Sequence, residues 1–366
     1  MFGMHRKIVF VSLLLALIAL GFVGYEIQLL LIAYSSFVVA FLSFPFFIRR
    51  MHLQKTFSWK DFNKPEGSPL VAGMGGAIVL LSFVYAIMVA LFSQSYLGHF
   101  SGIDLLSILA AMLTIILVGL IGIVDDVIGW TKGIRQYQHA LFPIFAAFPL
   151  MVLPQTIGNT GVDIPFFGFM NFGIMYALLL VPIAVTGASN ASNMLAGLNG
   201  LEGGMGLLNA IAVLIVALVL GKIEVAIIMV GLIGAILAFL AYNWYPARVF
   251  PGDSFTLMMG AAIASVCVIG NMEKIGIMLF SLYFIELLLK GRTQMQAQSF
   301  GVPQSDGTLK APEKIGSLTH VVMRMGRFTE KQVVLIILGM QMMVIVATLF
   351  FFWTNYQQAA LLYGGV

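Results

Sequence analysis

Long apolar runs constrain the fold of this chain more than any other feature. Stretches close to the 20 or so residues that a helix needs to cross a bilayer recur along the whole sequence. Charged residues make up only 9% of the 366 residues, whereas a soluble protein carries roughly 25%. So few charges cannot cover a water-facing surface, and the net charge of +4 is spread over many short segments. We therefore expect an all-α polytopic membrane protein that binds no nucleic acid.

The apolar runs predict about eleven transmembrane helices. They cover residues 8–24, 28–48, 70–93, 104–124, 138–153, 172–190, 204–220, 224–242, 254–271, 274–290 and 333–353. We expect one integral membrane domain over residues 1–366. Within it, residues 8–27 form an extra N-terminal helix, and residues 291–332 form a long cytoplasmic loop.

The basic residues predict the orientation of these helices. If the N-terminus is cytoplasmic, all of the 19 lysines and arginines except Lys222 and Lys274 fall in or at the edge of inward-facing segments. This is the bias that the positive-inside rule describes. The polar, motif-like segments lie on the same side, so we expect active-site loops facing the cytoplasm. The membrane would be the cell membrane of a prokaryote or the endoplasmic reticulum of a eukaryote.

An acidic pair, Asp125 and Asp126, ends the predicted helix 104–124. Adjacent carboxylates near hydrocarbon are costly unless a cation or a basic site offsets their charge. Lys132 and Arg135 follow closely, and charges of both signs suit a phosphate–metal site. The alternative interpretation is two solvated acids at the end of a helix.

Amides and a second acid provide further oxygen ligands. Asn190, Asn193, Asn199 and Glu202 fall within 13 residues and are interspersed with glycines. Hydrogen bonds between helices are the alternative role for membrane asparagines. Asp253 precedes an apolar helix, where it could cap the helix, bind a metal, or do both.

These segments together resemble the polyprenyl-phosphate N-acetylhexosamine-1-phosphate transferase family, in particular its eukaryotic and archaeal branch. The resemblance is carried by residues 61–66, 125–128, 190–203 and 242–255. It implies that an amino-sugar-1-phosphate, such as N-acetylglucosamine-1-phosphate, passes from a UDP-sugar to a polyprenyl or dolichyl phosphate, with release of UMP. It also implies a Mg²⁺ cofactor, for which Mn²⁺ is an alternative.

The resemblance assigns roles to individual residues. It implies metal ligation by Asn193 and Asp253, with Asp125 and Asp126 near the nucleophile or the metal. A phosphate would be held by Lys132 or Arg135. The positions that it places around the substrate are Phe62, Glu66, Asn190, Gly197, Asn199, Glu202 and Phe250. Arg292 and His320, in the last cytoplasmic loop, are further candidates for a substrate contact.

The last cytoplasmic loop departs from the family pattern. The eukaryotic branch carries an Arg-His-Arg cluster there, whereas residues 295–301 contain no basic residue. Arg292, His320 or Arg324 would have to substitute, or the grip on the sugar nucleotide differs. A non-catalytic relative is therefore one alternative, and a homodimer is a further expectation.

A secondary transporter is the main alternative from another functional class. Transporters place their polar sites near the middle of the membrane. Here the acids and amides gather at the predicted cytoplasmic ends of helices, which favours chemistry at the membrane surface.

Overall fold

The computed structural model describes residues 25–53, 57–128, 136–159, 161–165 and 167–363. Its helices are α1 Tyr25–Leu53, α2 Gly75–Leu97, α3 Leu105–Ile128, α4 Gln136–Ala146, α5 Phe148–Met151, α6 Pro154–Gly158, α7 Val181–Met194, α8 Leu201–Val219, α9 Ile223–Asn243, α10 Asp253–Gly270, α11 Glu273–Leu279, α12 Ser281–Gly291, α13 Leu318–Met325 and α14 Glu330–Tyr363. A π-helical turn, Tyr176–Leu180, leads into α7. Within the described ranges, eight helices are long and apolar enough to cross a membrane. The expected helical membrane fold is thereby confirmed.

The expected count of eleven spans is not confirmed. The predicted helix 8–24 lies outside the described residues, as do the positions before Tyr25 in the expected extra helix 8–27. The predicted span 138–153 consists of the two short helices α4 and α5, and Pro149, in the first turn of α5, cannot donate the backbone bond of a continuous helix. The predicted span 274–290 is divided between α11 and α12.

Close contacts between backbones hold the central helices together. A methyl group on Gly234 of α9 would lie 2.1 Å from the carbonyl oxygen of Ala33 in α1. One on Gly260 of α10 would lie 2.1 Å from that of Ala188 in α7. Such small residues let membrane helices pack closely. Helix α10, which begins at Asp253, is the most enclosed of the candidate spans, at 89% buried.

Short strands organise the segments between helices. They are β1 Ser58–Trp59, β2 Val71–Ala72, β3 Gly161–Ile164, β4 Gly168–Asn171, β5 Val302–Pro303, β6 Thr308–Lys310 and β7 Phe328–Thr329. Antiparallel pairs form between β1 and β2 and between β3 and β4, and β5, β6 and β7 form a three-stranded sheet in that order. The expected long loop 291–332 is therefore a folded segment, which also contains α13.

Four of the connecting segments meet at one end of the helix bundle. They are residues 57–74, 195–200, 244–252 and 292–329, and we call this end of the bundle the loop face. The backbone N–H of Phe250 donates to the carbonyl oxygen of Ala72 at 2.7 Å. The backbone N–H of Gly301 donates to the side chain of Asn63 at 3.0 Å. These bonds join segments that are far apart in sequence into one surface.

Candidate active site

The carboxylate of Asp126 binds the first residues of α10. Its Oδ1 accepts the backbone N–H of Asp253 at 2.8 Å, and its Oδ2 accepts that of Ser254 at 3.1 Å. A negative charge is favourable at this end of a helix, where N–H groups lack helical partners. The sequence suggested Asp253 itself as the N-cap of α10. In the structure, Asp126 at the end of α3 accepts the first N–H groups of this helix instead.

Glycines allow this approach. A methyl group on Gly122 of α3 would lie 2.5 Å from the carbonyl oxygen of Asp253, and one on Gly76 of α2 would lie 2.2 Å from the backbone nitrogen of Phe255. Gly252 has a φ of +71°, and a methyl group there would lie 2.4 Å from Oδ2 of Asp126. The start of α10 is therefore held against two helices at backbone contact distance.

Asn193 joins this cluster from the last turn of α7. Its Oδ1 accepts the hydroxyl of Thr256 at 2.9 Å, and its side chain is a hydrogen-bond neighbour of the Asp253 carboxylate. Asp125 is likewise a side-chain neighbour of Asp253. Three helices thus bring Asp125, Asp126, Asn193 and Asp253 together, as the sequence predicted.

The oxygen atoms of this cluster fit Mg²⁺. In the described part of the chain, no three His, Cys, Asp or Glu side chains form a ready-made metal site. Asp126 uses both oxygens to accept backbone N–H groups. The metal ligands that we consider are therefore oxygens of Asp125, Asn193 and Asp253, each of which has a second lone pair beside its present hydrogen bonds. Mg²⁺ is commonly held by one or two carboxylates together with substrate phosphates. The donor set therefore suits a metal that is completed by a bound diphosphate.

A second cluster holds the loop that follows α7. The Gly197 N–H donates to Glu202 at 2.6 Å, and the Asn199 N–H donates to Glu330 at 2.7 Å. The side-chain amide of Asn199 donates to Asp61 at 3.1 Å. Glu202 and Asn199 therefore support the loop itself, and their contact with a nucleotide stays a prediction.

Asn63 connects three segments of the loop face. Its Nδ2 donates to the carbonyl oxygen of Gly197 at 2.7 Å, and its Oδ1 accepts the N–H of Gly301 at 3.0 Å. No role was predicted for Asn63, Asp61 or Glu330. The first two lie in the motif 61–66, which was a usable signal, whereas Glu330 carried none.

His320 is buried beneath the loop that contains Phe300. Its Nε2 lies 3.1 Å from the carbonyl oxygen of Phe300, and its Nδ1 accepts the N–H of Gly316 at 3.3 Å. Burial lowers the pKa of His320, which favours the neutral ring. Both ring nitrogens face backbone groups and the side chain is 1% exposed. The geometry thus supports a structural role and does not support the expected substrate contact.

The other predicted positions are spread over the loop face. Phe62 is 48% exposed, and its ring centroid lies 5.0 Å from that of Phe300. Glu66 pairs with Lys60 at 3.6 Å on the exposed surface.

Asn190 donates to the Thr186 carbonyl of its own helix. Phe250 is half-buried and Arg292 is exposed. Lys132 and Arg135 lie outside the described residues.

A large cavity, of about 730 Å³, lies at the opposite end of the bundle. Its lining includes Asp163, which pairs with Lys274 at 2.8 Å. The lining contains none of the predicted site residues. The candidate active site is therefore assigned by its acids and amides and not by the size of a cavity.

Comparison with known proteins decides the family. The glycosyl transferase family 4 profile matches residues 108–271, a range that contains Asp125, Asn193 and Asp253. The chain is 36% identical over 313 residues to a putative UDP-N-acetylglucosamine–dolichyl-phosphate N-acetylglucosaminephosphotransferase of Saccharolobus solfataricus. That match covers 84% of this chain and 91% of the relative. The chain belongs to glycosyl transferase family 4.

Other relatives come from two branches of this family. The UDP-N-acetylglucosamine–dolichyl-phosphate N-acetylglucosaminephosphotransferase of Schizosaccharomyces pombe is 28% identical, over 75% of this chain and 68% of its own. A phospho-N-acetylmuramoyl-pentapeptide-transferase of Halalkalibacterium halodurans is 33% identical, over 72% of this chain and 81% of its own. The resemblance drawn from the motifs is confirmed. These relatives give no support to the transporter alternative.

Proposed function

We propose that this glycosyl transferase family 4 member transfers N-acetylglucosamine-1-phosphate, or a related amino-sugar-1-phosphate, from a UDP-sugar to a polyprenyl or dolichyl phosphate. The observation that carries the proposal is the convergence of Asp125, Asn193 and Asp253 at the ends of three helices. The names of the Saccharolobus and Schizosaccharomyces relatives support the two substrates. The positive-inside bias supports a cytoplasmic site in a multi-pass membrane protein.

The reaction exchanges one phosphorus–oxygen bond for another. An oxygen of the lipid phosphate attacks the β-phosphorus of the UDP-sugar, and the bond from that phosphorus to UMP breaks. The products are UMP and a lipid-diphosphate-sugar. A bound Mg²⁺ would offset negative charge on the diphosphate and the departing UMP.

The residues divide between binding and positioning. Asp126 uses both oxygens to hold the start of α10, so we assign it the positioning of Asp253. Asp125, Asn193 and Asp253 would then face the phosphates and their metal. The lipid acceptor explains why such a site lies at the end of a membrane bundle, since its phosphate stays at the bilayer surface while its chain is in hydrocarbon.

The direct test is product analysis. Purified protein receives radiolabelled UDP-N-acetylglucosamine and a polyprenyl phosphate, and mass spectrometry identifies the lipid product from a panel of UDP-sugars. We expect a lipid-diphosphate-sugar and free UMP in equal amounts. Uptake of the nucleotide sugar into proteoliposomes without a lipid product would instead identify a transporter. Binding without either outcome would identify a non-catalytic relative.

A further inference from the structure

The segment that replaces the expected basic cluster places an aromatic ring in the loop face. Residues 295–301 contain no lysine, arginine or histidine. The Phe300 ring lies directly over Gly197, because a methyl group on Gly197 would be 2.6 Å from its Cε1. The ring centroid of Phe62 is 5.0 Å away, with 30° between the two ring planes. Two aromatic side chains from distant segments therefore form one apolar surface beside the loop after α7.

The backbone around Phe300 is fixed on both sides. The carbonyl oxygen of Ser299 accepts the Thr319 hydroxyl at 2.7 Å, and that of Phe300 faces Nε2 of His320 at 3.1 Å. On the other side, the N–H of Gly301 donates to Asn63 at 3.0 Å. The position of the ring is therefore set by bonds to two other segments of the chain.

Two nearby cations are engaged in structural contacts with the loop, and a third, Lys60, lies over the Phe62 ring at 5.9 Å from its centroid. The ammonium group of Lys290 donates to the Ala297 carbonyl at 2.9 Å and to the Ser299 hydroxyl at 3.1 Å. The guanidinium of Arg324 donates to the Glu313 carbonyl at 2.7 Å. These two side chains secure the loop, so the surface beside Gly197 presents rings and not these charges.

We propose that Phe300, together with Phe62, is a specificity-determining wall that packs against the flat apolar face of a ring in the sugar nucleotide. Phe62 is 48% exposed and Phe300 is half-buried, so part of this apolar surface is open to solvent. The ring that it contacts is either the base or the sugar, and both present such a face. This inference rests on the proposed function. In this arrangement, stacking on aromatic rings takes the place of the contact that the family's basic cluster would make with the sugar nucleotide.

The test compares Phe300→Ala, Phe300→Leu and Phe300→Tyr with wild type and with Phe167→Ala. Phe167 is 80% exposed, in the turn between β3 and β4 at the opposite end of the bundle, which makes it a matched control. Binding of UDP-N-acetylglucosamine and of UDP is measured by titration calorimetry in detergent. Thermal unfolding verifies that each variant is folded.

We expect Phe300→Ala and Phe300→Leu to weaken binding of UDP-N-acetylglucosamine roughly three- to tenfold, as the loss of an aromatic contact predicts. Phe300→Tyr should stay within about twofold of wild type, since it keeps the ring. An equal loss for UDP would identify the base as the stacked ring, and an unchanged affinity for UDP would identify the sugar.

Two results would overturn the inference. One is a folded Phe300→Leu protein with wild-type affinity for UDP-N-acetylglucosamine, and the other is a folded Phe300→Tyr protein as weak as Phe300→Leu. In either case an active wild type leaves the proposed function intact. A wild type that neither binds nor transfers the sugar nucleotide would remove both proposals.

Discussion

The Asp126 carboxylate accepts the backbone N–H of Asp253 at 2.8 Å, across 127 positions of sequence. Its second oxygen accepts the next N–H along α10. Of the two adjacent acids at the end of α3, one is therefore committed to holding another helix. Asp125 remains the member of the pair that we place near the reacting phosphates.

Asp126→Asn should destabilise the protein and lower turnover together. Asparagine keeps one acceptor oxygen but loses the charge and the second acceptor, so we expect a loss of roughly 1–2 kcal/mol in the free energy of unfolding. Thermal unfolding in detergent measures the change. Asp163→Asn, which removes a surface ion pair with Lys274, should have a smaller effect. Equal effects of the two substitutions would argue against the capping role.

Asp253→Asn and Asn193→Ala should abolish turnover with little effect on folding. Asp253→Asn removes the negative charge and one oxygen from the proposed metal site, and Asn193→Ala removes its amide oxygen. We expect the rate of transfer to fall by a factor on the order of 100 or more. EDTA should stop wild-type transfer, and Mg²⁺ or Mn²⁺ should restore it. Glu273→Gln, at the start of another helix, is the control and should keep its activity. Wild-type rates in either variant would reject the metal assignment.

Asn63→Ala should raise the KM for the sugar nucleotide. The substitution leaves the Gly197 carbonyl and the Gly301 N–H without their buried partner, at a cost of about 1–3 kcal/mol. Much of this cost should appear as disorder of the loop face, and the KM should rise roughly tenfold. Steady-state kinetics measure it. The control is Asn355→Ala, whose amide donates to the Phe351 carbonyl of its own helix. A KM like that of the control would mean that Asn63 does not organise the site.

Gly122→Ala should impair both folding and turnover. Its added methyl group meets the backbone of Asp253 at 2.5 Å, which a side-chain rotation cannot relieve, and overpacking of this kind costs about 1–3 kcal/mol. We expect at least a tenfold loss of activity, because Asp253 must shift. Gly187→Ala on α7 is the control, since a methyl group there meets nothing within 4 Å. Transfer rates and unfolding curves are measured for both variants. If those of Gly122→Ala coincide with those of Gly187→Ala, the packing argument is wrong.

His320 should make stability depend on pH below neutrality. Burial, together with the charge of Lys290, lowers the pKa of His320 in the folded state, although the bond to Phe300 opposes the shift. As pH falls through about 6.5, His320 is therefore protonated in the unfolded chain before it is protonated in the folded protein. The free energy of unfolding thus decreases as the pH is lowered in that range. His320→Gln should flatten the dependence between pH 7.5 and pH 5.5 in thermal unfolding. His52→Gln, at an exposed position, should leave it unchanged. A slope that is the same in all three proteins would contradict the buried neutral ring.

Much of the fold could be predicted because the relevant signals are local. Apolar runs predicted the eight helices that have membrane-spanning length, and the motifs predicted the family. The interruptions in the predicted spans 138–153 and 274–290 were missed, since apolar composition continues through them. Within the site, the meeting of Asn193 and Asp253 was anticipated from the motifs. The division of labour between Asp125 and Asp126 was not, because adjacent acids look alike in sequence.

The sequence by itself determined that this protein is embedded in a membrane, which family it belongs to, and which segments carry its polar groups. Hydropathy and motif spacing are properties of neighbouring residues, so they can be read without coordinates. Only the tertiary structure decided which polar atoms are already occupied. The bond between Asn63 and Gly301 spans 238 positions, and the contact of Phe300 with Gly197 arises only when the last loop folds over α7. Such contacts depend on packing geometry, which no local pattern encodes.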